Sequence, residues 1–347
     1  MDLKPRFDAY WRMPVAPLIS ILLPAFNAAD TLPACLRSIQ RQTEPRWECV
    51  IVDDGSCDGT LECARSFAQR DARFVALTAP HGGLVATLNA GLEHCRGIFI
   101  ARMDADDLMH RRRLAAQVQA LLNPELAAVG CHGRLFPRAA LTAGRLEYER
   151  WLNSIDSPDR VRAEAFVECP IAHPALVIRW DVLASFGYRD AGWPEDYDLV
   201  LRLLAAGLRI GVVPHRLICW RDNPARLSRT SATYALERFT ECKAAFLAAG
   251  FLAASDTYVL WGYGETARAL HRALLTHGKR PAWIVEVHRG RLGNVIHGAP
   301  VIPPEELWRL RDYPVVASVA GEKPRRQIRE AMEAMGFKET RHFICAA

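Results

Sequence analysis

Gly97-Ile98-Phe99-Ile100-Ala101-Arg102-Met103-Asp104-Ala105-Asp106-Asp107 is an apolar run that ends in three carboxylates within four positions. An apolar run this short, rich in β-branched and aromatic residues, reads as a buried strand. The acids therefore stand where a strand leaves its sheet. A cluster of like charges repels itself unless a cation or a hydrogen-bonded ligand neutralises it. The spacing Asp104-x-Asp106 brings two acids close enough to share one divalent ion. Hard oxygen ligands suit Mg²⁺ or Mn²⁺, metals that usually travel with substrate phosphates. Acids also cap helices, and Asp107 is expected to cap a helix over residues 108–122.

Working outward from this strand, apolar runs alternate with helical stripes. Strands are expected at residues 18–23, 49–52, 74–77 and 98–101, with helices at 31–42, 60–70 and 85–95. In residues 31–42 the stripe consists of Leu32, Cys35, Leu36 and Ile39. Such alternation implies a parallel sheet covered by helices. Residues 147–230 are less regular and richer in Trp and Pro. A helix at 234–249 leads into a second alternating unit, with strands at 256–261, 282–287, 315–319 and 343–345 and helices at 265–277 and 324–335. The expected division is a first domain over 1–250 and a second over 251–347.

The 347 residues are half hydrophobic, enough for two modest cores, and the net charge of +5 is a mild excess. No basic stripe interleaved with aromatics is present, so nucleic acid is not an expected partner. Ten scattered cysteines form no Cys-x-x-Cys pair, which argues against a zinc site or a disulfide framework and for a reducing compartment. Residues 1–16 lack the apolar core of a signal peptide, and no apolar stretch is long enough for a bilayer span. The expectation is a cytoplasmic protein, with peripheral attachment to the inner face of a membrane left open.

Ligands of open parallel sheets bind beyond the carboxyl ends of the strands. Those ends read Pro24-Ala25-Phe26-Asn27, then Asp53-Asp54-Gly55-Ser56, then His81-Gly82-Gly83, then the acid cluster. Asp54 is suited to accept a hydrogen bond from a pyrimidine imide, and Phe26 to pack beside a base or ribose. Gly82 and Gly83 would let backbone approach a ligand closely. Each segment alone is equally a turn or a bend; together, at one sheet edge, they point to a nucleotide.

Four motifs in this order resemble glycosyltransferase family 2, the inverting, nucleotide-sugar-dependent enzymes of the GT-A fold. They are Ser20-Ile21-Leu22-Leu23-Pro24-Ala25-Phe26-Asn27, Val52-Asp53-Asp54-Gly55-Ser56, Ala101-Arg102-Met103-Asp104-Ala105-Asp106-Asp107 and Pro194-Glu195-Asp196-Tyr197-Asp198-Leu199. The resemblance spans about residues 18–230. It implies a nucleotide site drawing on Pro24, Phe26, Asn27, Asp53, Asp54, Gly82, Arg102 and Asp104, and a Mn²⁺ or Mg²⁺ ion on Asp106 and Asp104. It further implies Asp196 as the catalytic base, supported by Glu195. The donor implied is a nucleotide sugar, with UDP the first candidate, and the acceptor a saccharide, a lipid-linked sugar or a protein.

Trp193 precedes the Glu-Asp pair and is suited to stack on a sugar face. His173, in Cys169-Pro170-Ile171-Ala172-His173-Pro174, is a candidate for the acceptor or donor-sugar pocket. Residues 220–229 resemble the late family loop over the diphosphate, making Arg221, Arg226 and Arg229 candidate phosphate ligands. Many relatives carry a His where this chain has Asn223, so a His metal ligand from this loop is not expected.

In the second domain, Tyr258-Val259-Leu260-Trp261-Gly262-Tyr263-Gly264-Glu265-Thr266-Ala267 reads as strand, Gly-x-Gly turn and helix, with Glu286 ending the next strand. Gly262, Gly264 and Glu286 are thus candidates for a nucleotide in a small Rossmann-like domain, while docking or homo-oligomerisation are alternative roles. Two rival readings of the whole chain are a sugar-phosphate nucleotidyltransferase and a non-catalytic nucleotide-sugar-binding module. The first usually wants a Gly-rich, basic loop after its first strand, which Pro24-Ala25-Phe26-Asn27 does not offer.

Overall fold

A computed structural model describes residues 17–347; the reading of residues 1–16 as lacking an apolar leader falls outside the described residues. The chain packs as two units that are not continuous in sequence. The first holds the described residues up to Pro158 together with Ile171–Asp190 and Ala206–Pro224. The second holds Asp159–Pro170, Ala191–Ala205 and Ala225–Ala347.

The first unit opens with β1 (Ile19–Ala25), α1 (Leu32–Gln40), β2 (Trp47–Asp53), α2 (Thr60–Arg70), β3 (Phe74–Thr78), α3 (Gly83–Glu93) and β4 (Phe99–Arg102). β1 and β2 are buried along their whole length, which is why they read as mostly apolar runs; the polar exceptions inside them, Ser20 and Glu48, hydrogen-bond each other at 2.5 Å. α1 buries Leu32, Cys35, Leu36 and Ile39, and each large aliphatic side chain so removed from water contributes roughly 1.5–3 kcal/mol. These strands pair in parallel in the order β3-β2-β1-β4.

Beyond β4 the unit departs from the expected pattern. Residues 108–109 form a short strand, β5 (Leu108–Met109), and the helix begins only at α4 (Arg113–Leu121). Asp107 does not cap it: no side chain caps α4, and the Asp107 carboxylate accepts the backbone N–H of Arg221 at 2.7 Å. β5 pairs with β8 (Arg209–Arg221), so a tertiary strand pairing overrides the helical pattern of the sequence. The unit continues with β6 (Leu126–Phe136), α5 (Ala143–Leu152), β7 (Val177–Arg179) and α6 (Trp180–Phe186). β6 and β8 lie parallel and contain register shifts, and the exposed stretch Pro214-His215-Arg216 interrupts the apolar signal of β8. The finished sheet is mixed, in the order β3-β2-β1-β4-β7-β6-β8-β5, with β7 antiparallel to β4 and β6.

The second unit contains α7 (Glu195–Ala205), α8 (Leu236–Ala249), β9 (Thr257–Trp261), α9 (Glu265–Leu275), β10 (Arg280–Val285), the hairpin β11 (Val295–Ile296) and β12 (Ala299–Ile302), β13 (Val315–Ala317), α10 (Glu322–Ala334) and β14 (Phe343–Cys345). Its sheet runs β11-β12-β10-β9-β13-β14 and is parallel except for β11. One apolar cluster joins α8 and α9 to one face, and a second joins α10 to the other. Among the described residues no helix is long and apolar enough to cross a membrane.

Candidate active site

The acids at the end of β4 converge. Asp104, Asp106 and Asp107 each offer a carboxylate oxygen, all within 4.8 Å of one another. Arg102, buried at the last position of β4, meets Asp104 Oδ1 at 2.6 Å. Asp107 is fully buried and is tied to β8 through Arg221 N. The Arg221 side chain turns back to donate Nε–H to the Asp106 carbonyl at 2.8 Å, with its guanidinium 4.5 Å above the Phe136 ring. On the α1 side, the Cys35 thiol donates to the Asp104 carbonyl at 3.3 Å. Burial pushes the Cys35 thiol well above its usual range; Cys49 and then Asp107, Asp104 and Asp106 push it further, which reports the negative potential of the cluster.

An all-oxygen set this tight, carrying three acids, is chemically fit for a hard divalent cation such as Mg²⁺ or Mn²⁺. Asp104 and Asp106 are half-buried and are the better placed of the three to hold it.

A second group gathers at the ends of β1, β2 and β3. Asp54 is 5% exposed; its Oδ1 accepts Gly82 N–H at 2.8 Å and its Oδ2 accepts Gly83 N–H at 3.1 Å. His81 Nδ1 lies 2.9 Å from Asp54 Oδ2, and the imidazole stacks on Phe26 with centroids 4.4 Å apart. Phe26 remains 47% exposed. Asn27, in the left-handed region at φ 47°, accepts Cys57 N–H at 3.0 Å, while its own N–H donates to Ser56 Oγ. Asp53 is 1% exposed, and its Oδ2 accepts Ser56 N–H at 3.2 Å. Pro24 lies inside β1. The Asp54 carboxylate thus shapes the 81–83 turn, and the Phe26–His81 pair forms the aromatic surface beside it. In the sequence, His81 is marked only by its place directly before Gly82-Gly83.

His173 is buried, with Nε2 3.0 Å from the Tyr188 hydroxyl. Tyr188 is in turn fixed through its backbone by the Asn89 amide.

Glu195, Asp196, Trp193, Arg226 and Arg229 belong to the second unit. Glu195 opens α7, is buried, and accepts the Tyr234 hydroxyl, a contact that sequence reasoning missed because the two are far apart in the chain. Asp196 is less buried, and its Oδ1 accepts Tyr197 N–H at 2.7 Å. Trp193 donates its indole N–H to Asp198 Oδ1 at 3.1 Å, and Asp198 also pairs with Arg202 at 2.6 Å. Arg226 precedes a single helical turn at Leu227–Thr230, and Arg229 lies within it. Gly262 and Gly264 lie in the turn between β9 and α9, and Glu286 directly follows β10.

The acid cluster and the strand-end groups lie within the stretch, residues 20–176, that matches the profile of glycosyl transferase family 2. EpsE of Bacillus subtilis (strain 168) is 30% identical over 228 residues, covering 64% of this chain and 79% of EpsE. The chain belongs to glycosyl transferase family 2. It is accordingly a glycosyltransferase. Solved structures of two other proteins share the GT-A fold of this family 2 enzyme. TarS of S. aureus, residues 1–349, matches with a TM-score of 0.53 at 16% identity, over 75% of this chain and 71% of that one. The same TarS segment has been solved with UDP-GlcNAc, matching with a TM-score of 0.51. The mannosyltransferase PcManGT of Pyrobaculum calidifontis, solved with GDP-Man and Mn²⁺, matches with a TM-score of 0.52 at 20% identity over 78% of each chain. The family 2 profile ends before α7, so Glu195 and Asp196 lie beyond it.

Proposed function

We propose that this glycosyltransferase moves a sugar from a nucleotide diphospho-sugar, UDP-linked in the first instance, to an acceptor hydroxyl with inversion at the anomeric carbon. The acceptor is a saccharide, a lipid-linked sugar or a protein, in the synthesis of a surface polysaccharide or glycoconjugate. The observation that carries the reading is the convergence of Asp104, Asp106 and Asp107 at the end of β4. Complexes of TarS with UDP-GlcNAc and of PcManGT with GDP-Man and Mn²⁺ support a nucleotide-sugar donor and a divalent ion.

Breaking the bond from the anomeric carbon leaves negative charge on the departing diphosphate. A divalent ion on Asp106 and Asp104 would neutralise that charge without proton transfer. Arg102 holds the Asp104 carboxylate in place, and Arg221 fixes the loop carrying Asp106. Phe26 and His81 pack against the base, and Asp54 presents the Gly82-Gly83 backbone beside it. Asp196 accepts the proton of the attacking hydroxyl as the single base of a single displacement, and Glu195, steadied by Tyr234, orients it.

The test is a donor screen by release of nucleoside diphosphate, with UDP- and GDP-sugars, in Mn²⁺, Mg²⁺ and EDTA. Release in metal that EDTA abolishes supports the reading. Release that persists in EDTA removes Asp106 as a metal ligand.

A further inference from the structure

The second unit carries features that sugar transfer does not use. Its parallel strands stand in the order β12-β10-β9-β13-β14. The chain runs from β9 outward through β10 to β12, then crosses back to β13 and β14 on the other side. In open parallel sheets a ligand binds outside the carboxyl ends of the two strands where the order reverses, here β9 and β13.

At that point β9 enters α9 through Gly262-Tyr263-Gly264. Gly262 has φ +91°, and a Cβ there would lie 2.4 Å from Val319 Cγ2, so this turn packs directly on the segment that follows β13. A Cβ on Gly264 would meet nothing within 4 Å, so the space over the start of α9 is open. No side chain caps α9, an 11-residue helix. Its first N–H groups and its dipole therefore favour an anion.

An independent feature lies on the other side of the reversal. Val315 and Ala317 of β13 pack in one apolar cluster, while Val316 packs in the other, with Ala267 and Leu270 of α9. Continuing this alternation puts Ser318 on the α9 side. Thr266, in the first turn of α9, donates to the Ser318 carbonyl at 3.5 Å, and Ser318 N–H donates to Trp261 O at 3.0 Å. Ser318 is 1% exposed, and its hydroxyl has no hydrogen-bond partner among the described residues. Buried hydroxyls are normally bonded; this one stands beneath the α9 turn, at the strand ends where a ligand would bond it.

The third strand end carries a carboxylate suited to a ribose hydroxyl. Glu286 is 7% exposed; its carboxylate accepts Val287 N–H at 2.9 Å, His288 N–H at 3.3 Å and Arg291 at 2.7 Å. A carboxylate offers about four lone-pair sites, so one remains for a ribose hydroxyl. Arg291 also donates to the Tyr263 carbonyl at 3.2 Å, joining Glu286 to the glycine turn. Glu265, at the first position of α9, opposes a terminal phosphate with two charges and tolerates better a bridged diphosphate with one charge per phosphorus.

We infer that the second unit binds a nucleoside diphosphate esterified at its far end, a dinucleotide or a nucleotide sugar, at the β9–β13 reversal, separately from the donor site. Equilibrium dialysis of the full chain with radiolabelled NAD⁺, UDP-glucose and inorganic phosphate tests it. Asp104→Asn in EDTA weakens binding at the donor site, and the binding that Gly264→Glu then removes belongs to the second unit. In that background, NAD⁺ or UDP-glucose should bind once per chain, and the ligand that binds identifies the source.

Gly264 has an extended backbone (φ −76°, ψ −168°) that other residues adopt, so Gly264→Glu should fold while placing a carboxylate in the phosphate space. Binding should weaken at least tenfold in Gly264→Glu and severalfold in Ser318→Ala, with unchanged circular dichroism. Binding unaffected by both substitutions overturns the inference, as does no binding in the Asp104→Asn background or equal binding of inorganic phosphate. Sugar transfer by a chain without this site defeats only this inference, and binding by a chain that transfers no sugar defeats only the proposed reaction.

Discussion

Arg221 holds the acid loop twice: its backbone N–H donates to the Asp107 carboxylate at 2.7 Å and its Nε–H to the Asp106 carbonyl at 2.8 Å. Arg221→Ala keeps the first bond and removes the second, loosening the backbone that carries Asp106. Groups that orient metal ligands typically contribute about 10–100-fold to metal affinity or activity. Mn²⁺ titration of the variant should show a loss in that range, with the fold intact. An unchanged Mn²⁺ midpoint would show that this tether is irrelevant to the ion.

Asp196→Asn removes the proposed base while preserving the size of the side chain. General-base catalysis typically contributes about 10²–10⁴-fold, so kcat should fall by that factor with donor KM little changed. Full activity in this variant would sink the assignment. NMR of the wild-type product reports whether the anomeric centre inverts.

Asp54 accepts two backbone N–H groups, so Asp54→Ala leaves both without that acceptor and releases the 81–83 turn. The expected stability loss is about 1–3 kcal/mol, accompanied by a rise in donor KM of tenfold or more. Phe26→Ala, at a side chain 47% exposed, should raise donor KM with little change in melting temperature. Equal stability losses in the two variants would contradict this division of roles.

Of the ten cysteines, Cys57 alone is exposed, and its backbone N–H binds Asn27 across the ends of β1 and β2. Burial pushes the Cys95 and Cys345 thiols up to about 12 and Cys131 up to about 11, which suppresses their thiolates. A thiol reagent at neutral pH should therefore modify Cys57 first and weaken donor binding, and Cys57→Ser should lose that fast phase. Mass spectrometry of tryptic peptides identifies the site.

His271, 2% exposed, has its pKa lowered chiefly by burial, then by His297 and Arg272. The folded second unit therefore binds fewer protons here than the unfolded chain. This contribution to stability is complete above the unfolded value near 6.5 and is lost as pH falls from there toward the lower folded value. The melting temperature should drop on acidification through that window, and His271→Gln should flatten the drop. An identical pH profile in the variant would exclude His271 as its source.

Buried strands and a helix with one buried face were legible in the sequence because their chemistry is local. β1, β2 and α1 follow from runs of apolar residues and a 3.6-residue stripe. The donor-side candidates were legible because strand ends are predictable once strands are. β5, β6 and β8 were not, since their stability comes from partners distant in sequence and their exposed polar residues break any periodic signal. The same cause hid the Tyr234–Glu195 bond and moved Asp107 from helix cap to strand tether.

By itself, the sequence determined an α/β chain with a nucleotide-type edge and a Gly-x-Gly turn, because alternation, turn residues and acid spacing act over a few positions. Only the tertiary structure decided that Asp104, Asp106 and Asp107 converge within 4.8 Å, that Asp54 spends its carboxylate on the Gly82 and Gly83 amides, and that Ser318 lies buried beneath α9. Each of these depends on hydrogen bonds and packing between strands far apart in the chain, whose partners no local pattern specifies.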